Sequence, residues 1–324
     1  MLRELSLVHL AELTHSAKAK SWRVSLPCAL FLLLLALPLT NSDYIVSLGS
    51  RVLIFSILAV SLDLILGFGG LISFGHAAYF GAGAYTVAAL IFAGSGNGLV
   101  HLISAMAVSG TMALVIGLLC ARSDGLHFIM LTFAFAQMAY FIASGLQRFG
   151  GDDGATLPSR SNLMPLDLAD RTHFYYLAWA CLAVVLVVCV LLVRSRFGMA
   201  LRASKQNGVR LSTLGIPSYP YRVLAFGIAG AFAGLAGFLM VNLNAYVSPN
   251  FFAWKLSGDV IMMVVIGGVG TLAGGVVGAG VFLLLQEVLS AFTPHWMFYL
   301  GPLLVVIALY GRRGLVGLLR GERK

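Results

Sequence analysis

Residues 174–193 read FYYLAWACLAVVLVVCVLLV, a run without one charged side chain. At about 1.5 Å of helical rise per residue such a run spans roughly 30 Å, the thickness of a bilayer's hydrocarbon core. Further apolar segments lie on both sides of it, at approximately 52–68, 71–93, 99–121, 125–146, 223–241, 257–288 and 296–311. Hydrophobic residues make up 60% of the 324-residue chain and charged residues 10%. Soluble domains are far more charged, and one soluble core of this length could not hide so much apolar surface. The sequence therefore predicts an all-α polytopic membrane protein. We expect a transmembrane domain over 25–311, between an N-terminal segment, 1–24, and a basic tail, 312–324.

Leu2, Leu5, Leu7, Val8, Leu10 and Leu13 alternate with charges, which suits a short interfacial helix. Lys18, Lys20 and Arg23 followed by Leu26 to Leu39 have the order of a signal peptide. The basic region is long for one, and no small-x-small cleavage site follows Pro38, so a retained first span is expected. The formal charge of +9 would suggest nucleic acid in a soluble chain. Here the basic residues sit between apolar segments, where membrane topology needs them, and nucleic acid is not an expected partner. Cys28, Cys120, Cys181 and Cys189 lie in or beside apolar segments without metal-ligand spacing, and read as buried spectators.

Loop charges set the orientation. Loop 194–222 holds Arg194, Arg196, Arg202, Lys205, Arg210 and Arg222 and no acid. The N-terminal segment and the tail are also net basic. All three are expected in the cytoplasm. Loop 147–173 sets Arg148, Arg160 and Arg171 against Asp152, Asp153, Asp167 and Asp170, and is expected outside. Parity then requires an even number of crossings after Arg222, where only three apolar stretches appear. The middle one must cross twice or enter and return. It contains Gly267, Gly268, Gly270, Gly274, Gly275, Gly278 and Gly280, and such glycines are tolerated at membrane depth where helices break or pack closely. The expectation is eight to ten transmembrane helices with Gly-broken segments.

A second break is marked by Gly67, Gly69, Gly70 and Gly75. Sliding the chain on itself by 200 residues superposes Gly67 on Gly267, Gly70 on Gly270 and Gly75 on Gly275, which reads as an internal repeat. Paired Gly-interrupted segments in two halves point to a transporter's path. The candidate path residues are Asp63, Gly69, Gly70, Ser73, Gly75 and His76 in the first half, and Asp259, Gly267, Gly268, Gly270 and Thr271 in the second. The two breaks are expected to approach the midplane and to pack backbone on backbone. A carboxylate at a helix centre costs about 2.5–3.5 kcal/mol, so Asp63 and Asp259 should face protein or water. Each either lines the path or ties helices together.

Several chemistries find no support in the sequence. No Gly-x-x-x-x-Gly-Lys-Ser/Thr pattern occurs, so the chain does not hydrolyse nucleotide by that device. There is no clustered metal-ligating set and no Gly-x-Ser-x-Gly elbow, and no cofactor is expected. His76 and His127 read as packed or hydrogen-bonded side chains rather than catalysts. In loop 194–222, Met199 to Leu214 is helix-compatible, Gly215 fits a C-cap and Pro217 forbids continuation. Such a helix either docks a partner or is a solvated, topogenic loop, and the residues leave both open.

Residues 62–85, LDLILGFGGLISFGHAAYFGAGAY, resemble the signature of LivM-type permeases of branched-chain amino acid ABC importers. Arg196 to Ile216 resembles that family's cytoplasmic coupling segment. Ser257-Gly258-Asp259 through Met263 to Thr271 resembles its second glycine-rich segment, and residues 150–154, GGDDG, its external turn. Arg313-Gly314-Leu315 completes a likeness that runs from about Val52 to Leu319. The resemblance implies a transport subunit in the bacterial inner membrane. Its partners would be a homologous LivH-type permease, two ATPase subunits and a periplasmic substrate-binding protein. The cargo would be branched-chain or other small amino acids, or, in close relatives, urea, amides or short acids. Arg202, Lys205, Arg210, Leu211, Leu214, Gly215 and Ile216 would then meet the ATPase, and ATP would drive alternating access. A secondary transporter with Asp63 and Asp259 as titrating groups is the alternative of a different class. A passive channel is the weakest reading, since nothing resembles a selectivity filter.

Overall fold

The computed structural model describes residues 35, 37–40, 42–162, 170–310 and 314–319. The expectations for 1–24, for most of the first span and for the tail outside 314–319 lie outside these. The helices are α1 (Asp43–Asp63), α2 (His76–Phe92), α3 (Gly98–Cys120), α4 (Leu126–Ser144), α5 (Arg171–Arg194), α6 (Arg196–Thr213), α7 (Ser218–Asn244), α8 (Trp254–Gly267), α9 (Leu272–Phe292), α10 (Trp296–Tyr310) and α11 (Gly314–Leu319). A π turn, Leu64–Phe68, prolongs α1. With that extension, α1 is one of six helices among the described residues that are long and apolar enough to cross a membrane, with α3, α4, α5, α7 and α9. α2 and α10 are shorter apolar helices.

The helices sort into a centre and a rim. In α1 and α7, 94% and 83% of the apolar stretch is buried, against 22% in α5. The charge-free run of α5 thus presents Val184, Val187 and Leu191 outward, as a lipid-facing helix does. Lipid gives helices no hydrophobic reason to associate, so close packing must hold them, and small residues allow it. On α7, a Cβ added at Gly234 would lie 2.6 Å from the Ala105 carbonyl oxygen of α3. A Cβ added at Gly83 of α2 would lie 2.6 Å from the Gly234 Cα. α7 is therefore clasped between α2 and α3 at backbone contact.

The bundle has two chemically distinct ends. At the α6 end, the Tyr219 hydroxyl donates to the Leu118 carbonyl at 2.7 Å and Arg222 meets Asp124 at 2.6 Å. At the opposite end Arg171 pairs with Asp43 at 3.5 Å. There also β1 (Ala155–Thr156) pairs antiparallel with β2 (Tyr246–Val247). The turn at residues 150–154 feeds β1, and Gly150, Gly151 and Gly154 all take positive φ.

The glycine-rich stretch 257–288 resolves into two helices, α8 and α9, so that α7, α8, α9 and α10 follow Arg222. α8 has only 14 residues, about 21 Å, and falls short of a ~30 Å core, whereas α9 has 21. The chain before α8 is irregular and packs into the bundle. After β2, Pro249–Phe252 turns inward, with the Phe252 ring against Gly81 and the Phe251 ring 5.5 Å from that of Phe80. Its polar backbone is satisfied locally: Asn250 N–H donates to Ser248 Oγ at 3.3 Å and Ala253 N–H to the Asn250 carbonyl at 3.1 Å. Non-helical backbone at this depth is viable only when buried in protein and bonded in this way.

Helix, break, helix occurs twice in the same order: α1, residues 69–75, α2, and α8, residues 268–271, α9. Gly70 has φ 72° and Gly270 has φ 79°. Both glycines, 200 positions apart, occupy the left-handed region that an L side chain adopts only with strain.

Candidate functional site

The two breaks meet. Gly270 N–H donates to Asp63 Oδ1 at 2.7 Å, and a Cβ added at Gly67 would lie 2.5 Å from the Gly270 nitrogen. The backbone-on-backbone approach expected from the sequence is therefore present. Its position differs from the midplane expectation. Lys205 of α6 donates from Nζ to the Gly67 carbonyl at 2.7 Å, and its Cγ lies 2.7 Å from where a Gly70 Cβ would be. The breaks thus sit at the α6 end of the bundle, within reach of one lysine side chain. The reason is length: α1 and its π turn run 26 residues, ~39 Å, before the chain breaks.

Most first-half candidates are locked inside the protein. Asp63, Ser73 and His76 are fully buried. Ser73 Oγ accepts from Gly75 N–H at 3.2 Å, and Ser61 Oγ lies 2.8 Å from His76 Nε2. Phe74 N–H donates to Thr132 Oγ1 at 3.2 Å, and Ala77 N–H to Ser257 Oγ at 2.9 Å, which ties the first break to α4 and α8. Gly69, Gly75, Gly267 and Gly268 are likewise buried, and Thr271 Oγ1 donates to the Gly268 carbonyl at 2.6 Å. His76 is packed and hydrogen-bonded as read, whereas His127 is exposed at the start of α4.

Asp259 has different surroundings. It lines a groove of about 360 Å³ with Arg51, Lys255 and Gln286, floored by Phe55 and Phe282 among others. A second cavity of about 380 Å³, lined by Tyr44, Ser47 and Glu287, shares Arg51 and Met240 with it. Together they form one groove along α1, α7, α8 and α9 that reaches the end opposite α6, where the Tyr44 hydroxyl donates to Glu287. Arg51, Lys255 and Glu287 are not among the residues the sequence singles out. Glu287 carries a usable signal, an ionisable group inside an apolar segment, whereas Arg51 and Lys255 stand at the edges of apolar segments, where charges are ordinary.

α6 is helical over the expected stretch, with one interruption. Asn207 has φ −161° and ψ 97°, and its Oδ1 accepts from Arg210 N–H at 3.0 Å. It therefore N-caps a second, short helical piece. Gly215 follows at φ 79°, and Ile216 N–H donates to the Leu211 carbonyl at 3.3 Å, a Schellman-type ending. Val209, Leu214 and Ile216 are exposed beyond the kink, as is Arg210, whereas Leu211 is buried. Arg202 turns back to the end of α5, donating to the Val193 carbonyl at 3.1 Å and the Gly198 carbonyl at 3.2 Å. Arg222 secures the other side, through Ser204 Oγ at 3.0 Å and Asp124.

Apolar outer helices around two glycine-rich breaks, with a charged groove between buried spans, make a polytopic membrane protein built for transport. The chain belongs to the family described as branched-chain amino acid transport system / permease component, which residues 44–310 match. It is similar to the high-affinity branched-chain amino acid transport system permease protein LivM of Escherichia coli (strain K12), 27% identical over 91% of this chain and 75% of that one. LivM of Salmonella typhimurium gives the same figures. LivH of Escherichia coli K12 is 24% identical over 76% of this chain and 83% of its own length. No solved structure matches. The chain is accordingly a multi-pass transport subunit, a permease component of a system with other subunits.

Proposed function

We propose that this chain is one of two homologous permeases in an ABC importer of the bacterial inner membrane. Together they form the path for branched-chain or related small amino acids. The likeness to both LivM and LivH of one organism supports the pairing, since that organism has two permeases of this build. The family's printed description supports the cargo. The basic residues around α6 support a cytoplasmic position for that end, with both termini on the same side and the β1–β2 end outside. Two ATPase subunits would bind at α6, and a periplasmic binding protein would deliver cargo at the opposite end. The sequence holds no Gly-x-x-x-x-Gly-Lys-Ser/Thr loop, which supports placing the energy source in those partners.

One observation carries the mechanism: the Lys205 Nζ bond to the Gly67 carbonyl at 2.7 Å. A displacement of α6 pulls on the first break. Through the Gly67 contact and the Asp63–Gly270 bond it also pulls on the second. A ligand or partner shifts a conformational balance only by binding one state better than the other. ATPase subunits seated on Val209, Leu214 and Ile216 supply that difference as they close.

The test is reconstitution with both ATPases, the second permease and the binding protein. Leucine uptake that requires ATP and every subunit supports the reading. Uptake by this chain alone under an ion gradient would overturn it in favour of secondary transport.

A further inference from the structure

The groove between α1, α7, α8 and α9 carries charges of both signs that do not pair with one another. Arg51, Lys255, Asp259 and Glu287 all line it, yet none of them is in an ion pair among the described residues. Arg51 Nε is buried with no hydrogen-bond partner, its guanidinium lying 6.0 Å from the Phe55 ring centroid. Among the described residues, the hydrogen-bond partner of Lys255 Nζ is the Met297 sulfur, at 3.4 Å. Lys255 and Asp259 lie one helical turn apart on α8 and so present to one side. The remaining wall is largely apolar, from Phe55, Phe251, Leu256, Met263 and Leu283.

Arg51 lies eight residues into α1, about 12 Å below Asp43. Lipid cannot be the neighbour of such groups, because intramembrane charges face a protein interior or a watery cavity. Unpaired charges of opposite sign beside an apolar wall describe the complement of a small zwitterion with an apolar body.

We infer that this groove is the chain's subsite for the amino-acid cargo: Arg51 takes the α-carboxylate, Asp259 the α-ammonium, and the apolar wall the side chain. The inference rests on the proposed function and adds to it the residues that recognise the cargo within the membrane. The guanidinium fork matches a carboxylate in two parallel hydrogen bonds, which a lysine ammonium cannot do. Glu287, nearer the outer end, supplies an ammonium partner at entry. The volume of about 360 Å³ falls at the lower end of small-molecule sites.

The test uses the complete importer in proteoliposomes with loaded binding protein, and reads leucine taken up per ATP hydrolysed. Arg51→Gln and Asp259→Asn each lower that ratio about 10- to 100-fold, the loss expected for one charge-assisted hydrogen bond. Arg51→Lys, which keeps the charge without the fork, gives an intermediate ratio. A wild-type ratio in both neutral variants overturns the inference. A wild-type complex that takes up no amino acid overturns the proposed function instead. A second readout covers the case in which a neutral variant fails to assemble. Ala253→Cys places a thiol on the groove wall, and its reaction with a small polar reagent is followed by mass at the peptide that carries it. Free leucine slows the reaction, while isocaproate, which lacks the ammonium, and isoamylamine, which lacks the carboxylate, slow it less. Equal slowing by all three, or by none, overturns the zwitterion subsite.

Discussion

Asp63→Leu removes the acceptor that Gly270 N–H meets at 2.7 Å. Asp63 is fully buried and Gly270 half-buried. Leaving such an N–H without a protein partner costs about 1–3 kcal/mol, toward the lower end for a half-buried group. The branched side chain also enters the tightest contact between the breaks, where a Cβ at Gly67 would already lie 2.5 Å from the Gly270 nitrogen. Overpacking of that kind adds about 1–3 kcal/mol. The sum, about 2–6 kcal/mol, is a large part of a typical stability of ~5–15 kcal/mol. Asp63→Asn keeps an oxygen in the same place and should cost within about 1 kcal/mol. The assay is thermal unfolding of the detergent-solubilised complex, followed by loss of the monodisperse peak. Leucine should lower the midpoint strongly and asparagine slightly. If asparagine is as harmful as leucine, the negative charge and not the bond to Gly270 is what matters. If leucine is harmless, the tie between the breaks is not structural.

Further outcomes follow from the α6 end. Lys205→Met keeps the aliphatic stem over Gly70 and loses the bond to Gly67, so uptake per ATP should fall about 5- to 20-fold with assembly intact, the equivalent of ~1–2 kcal/mol of lost coupling; pull-down of the subunits and uptake measured together check it. A Cβ added at Gly215 meets no atom within 4 Å, so the penalty of Gly215→Val comes chiefly from the positive φ of 79°, about 1–2 kcal/mol, and it should loosen the helix end and raise ATP hydrolysis that is not matched by uptake. Arg202→Glu sets a negative charge against the carbonyl end of α5 and loses both bonds to Val193 and Gly198; binding of the ATPase subunits should weaken, as titration with purified ATPase would show. Gly301→Ala has open space around its Cβ and lies inside α10, so it should be neutral or slightly stabilising by up to ~1 kcal/mol in the same unfolding assay.

The long apolar segments were legible because lipid asks for about 20 apolar residues per full crossing, and six helices among the described residues meet it. The Gly67 and Gly267 breaks were legible because positive φ at Gly70 and Gly270 leaves a compositional mark. α6 was legible through Gly215 and Pro217 at its end, but the Asn207 kink was not, since an asparagine in a polar stretch is compatible with helix interior and cap alike. Pairings across the chain were invisible for a plainer reason. Asp63 meets Gly270 across 207 positions and Arg222 meets Asp124 across 98, and nothing local announces either. The groove escaped notice because its charges come from three separate helices, Arg51 from α1, Lys255 and Asp259 from α8 and Glu287 from α9, and nothing local announces that they meet.

The irregular entry to α8 bears on how the chain is made. A helix of 14 residues carrying Lys255 and Asp259 is a poor candidate for insertion by itself. Its first turn is held by Ala77 N–H on Ser257 Oγ and by the Trp254 ring against Phe133, both partners synthesised more than a hundred residues earlier. During synthesis α8 therefore has no independent claim on the bilayer, and it must wait for α9 to follow it in as a hairpin against helices already present. A nascent chain halted just after Gly267 would leave α8 outside the membrane, and one halted after Phe292 would carry it in. The contact between Gly67 and Gly270 is accordingly among the later ones that a newly made copy can form.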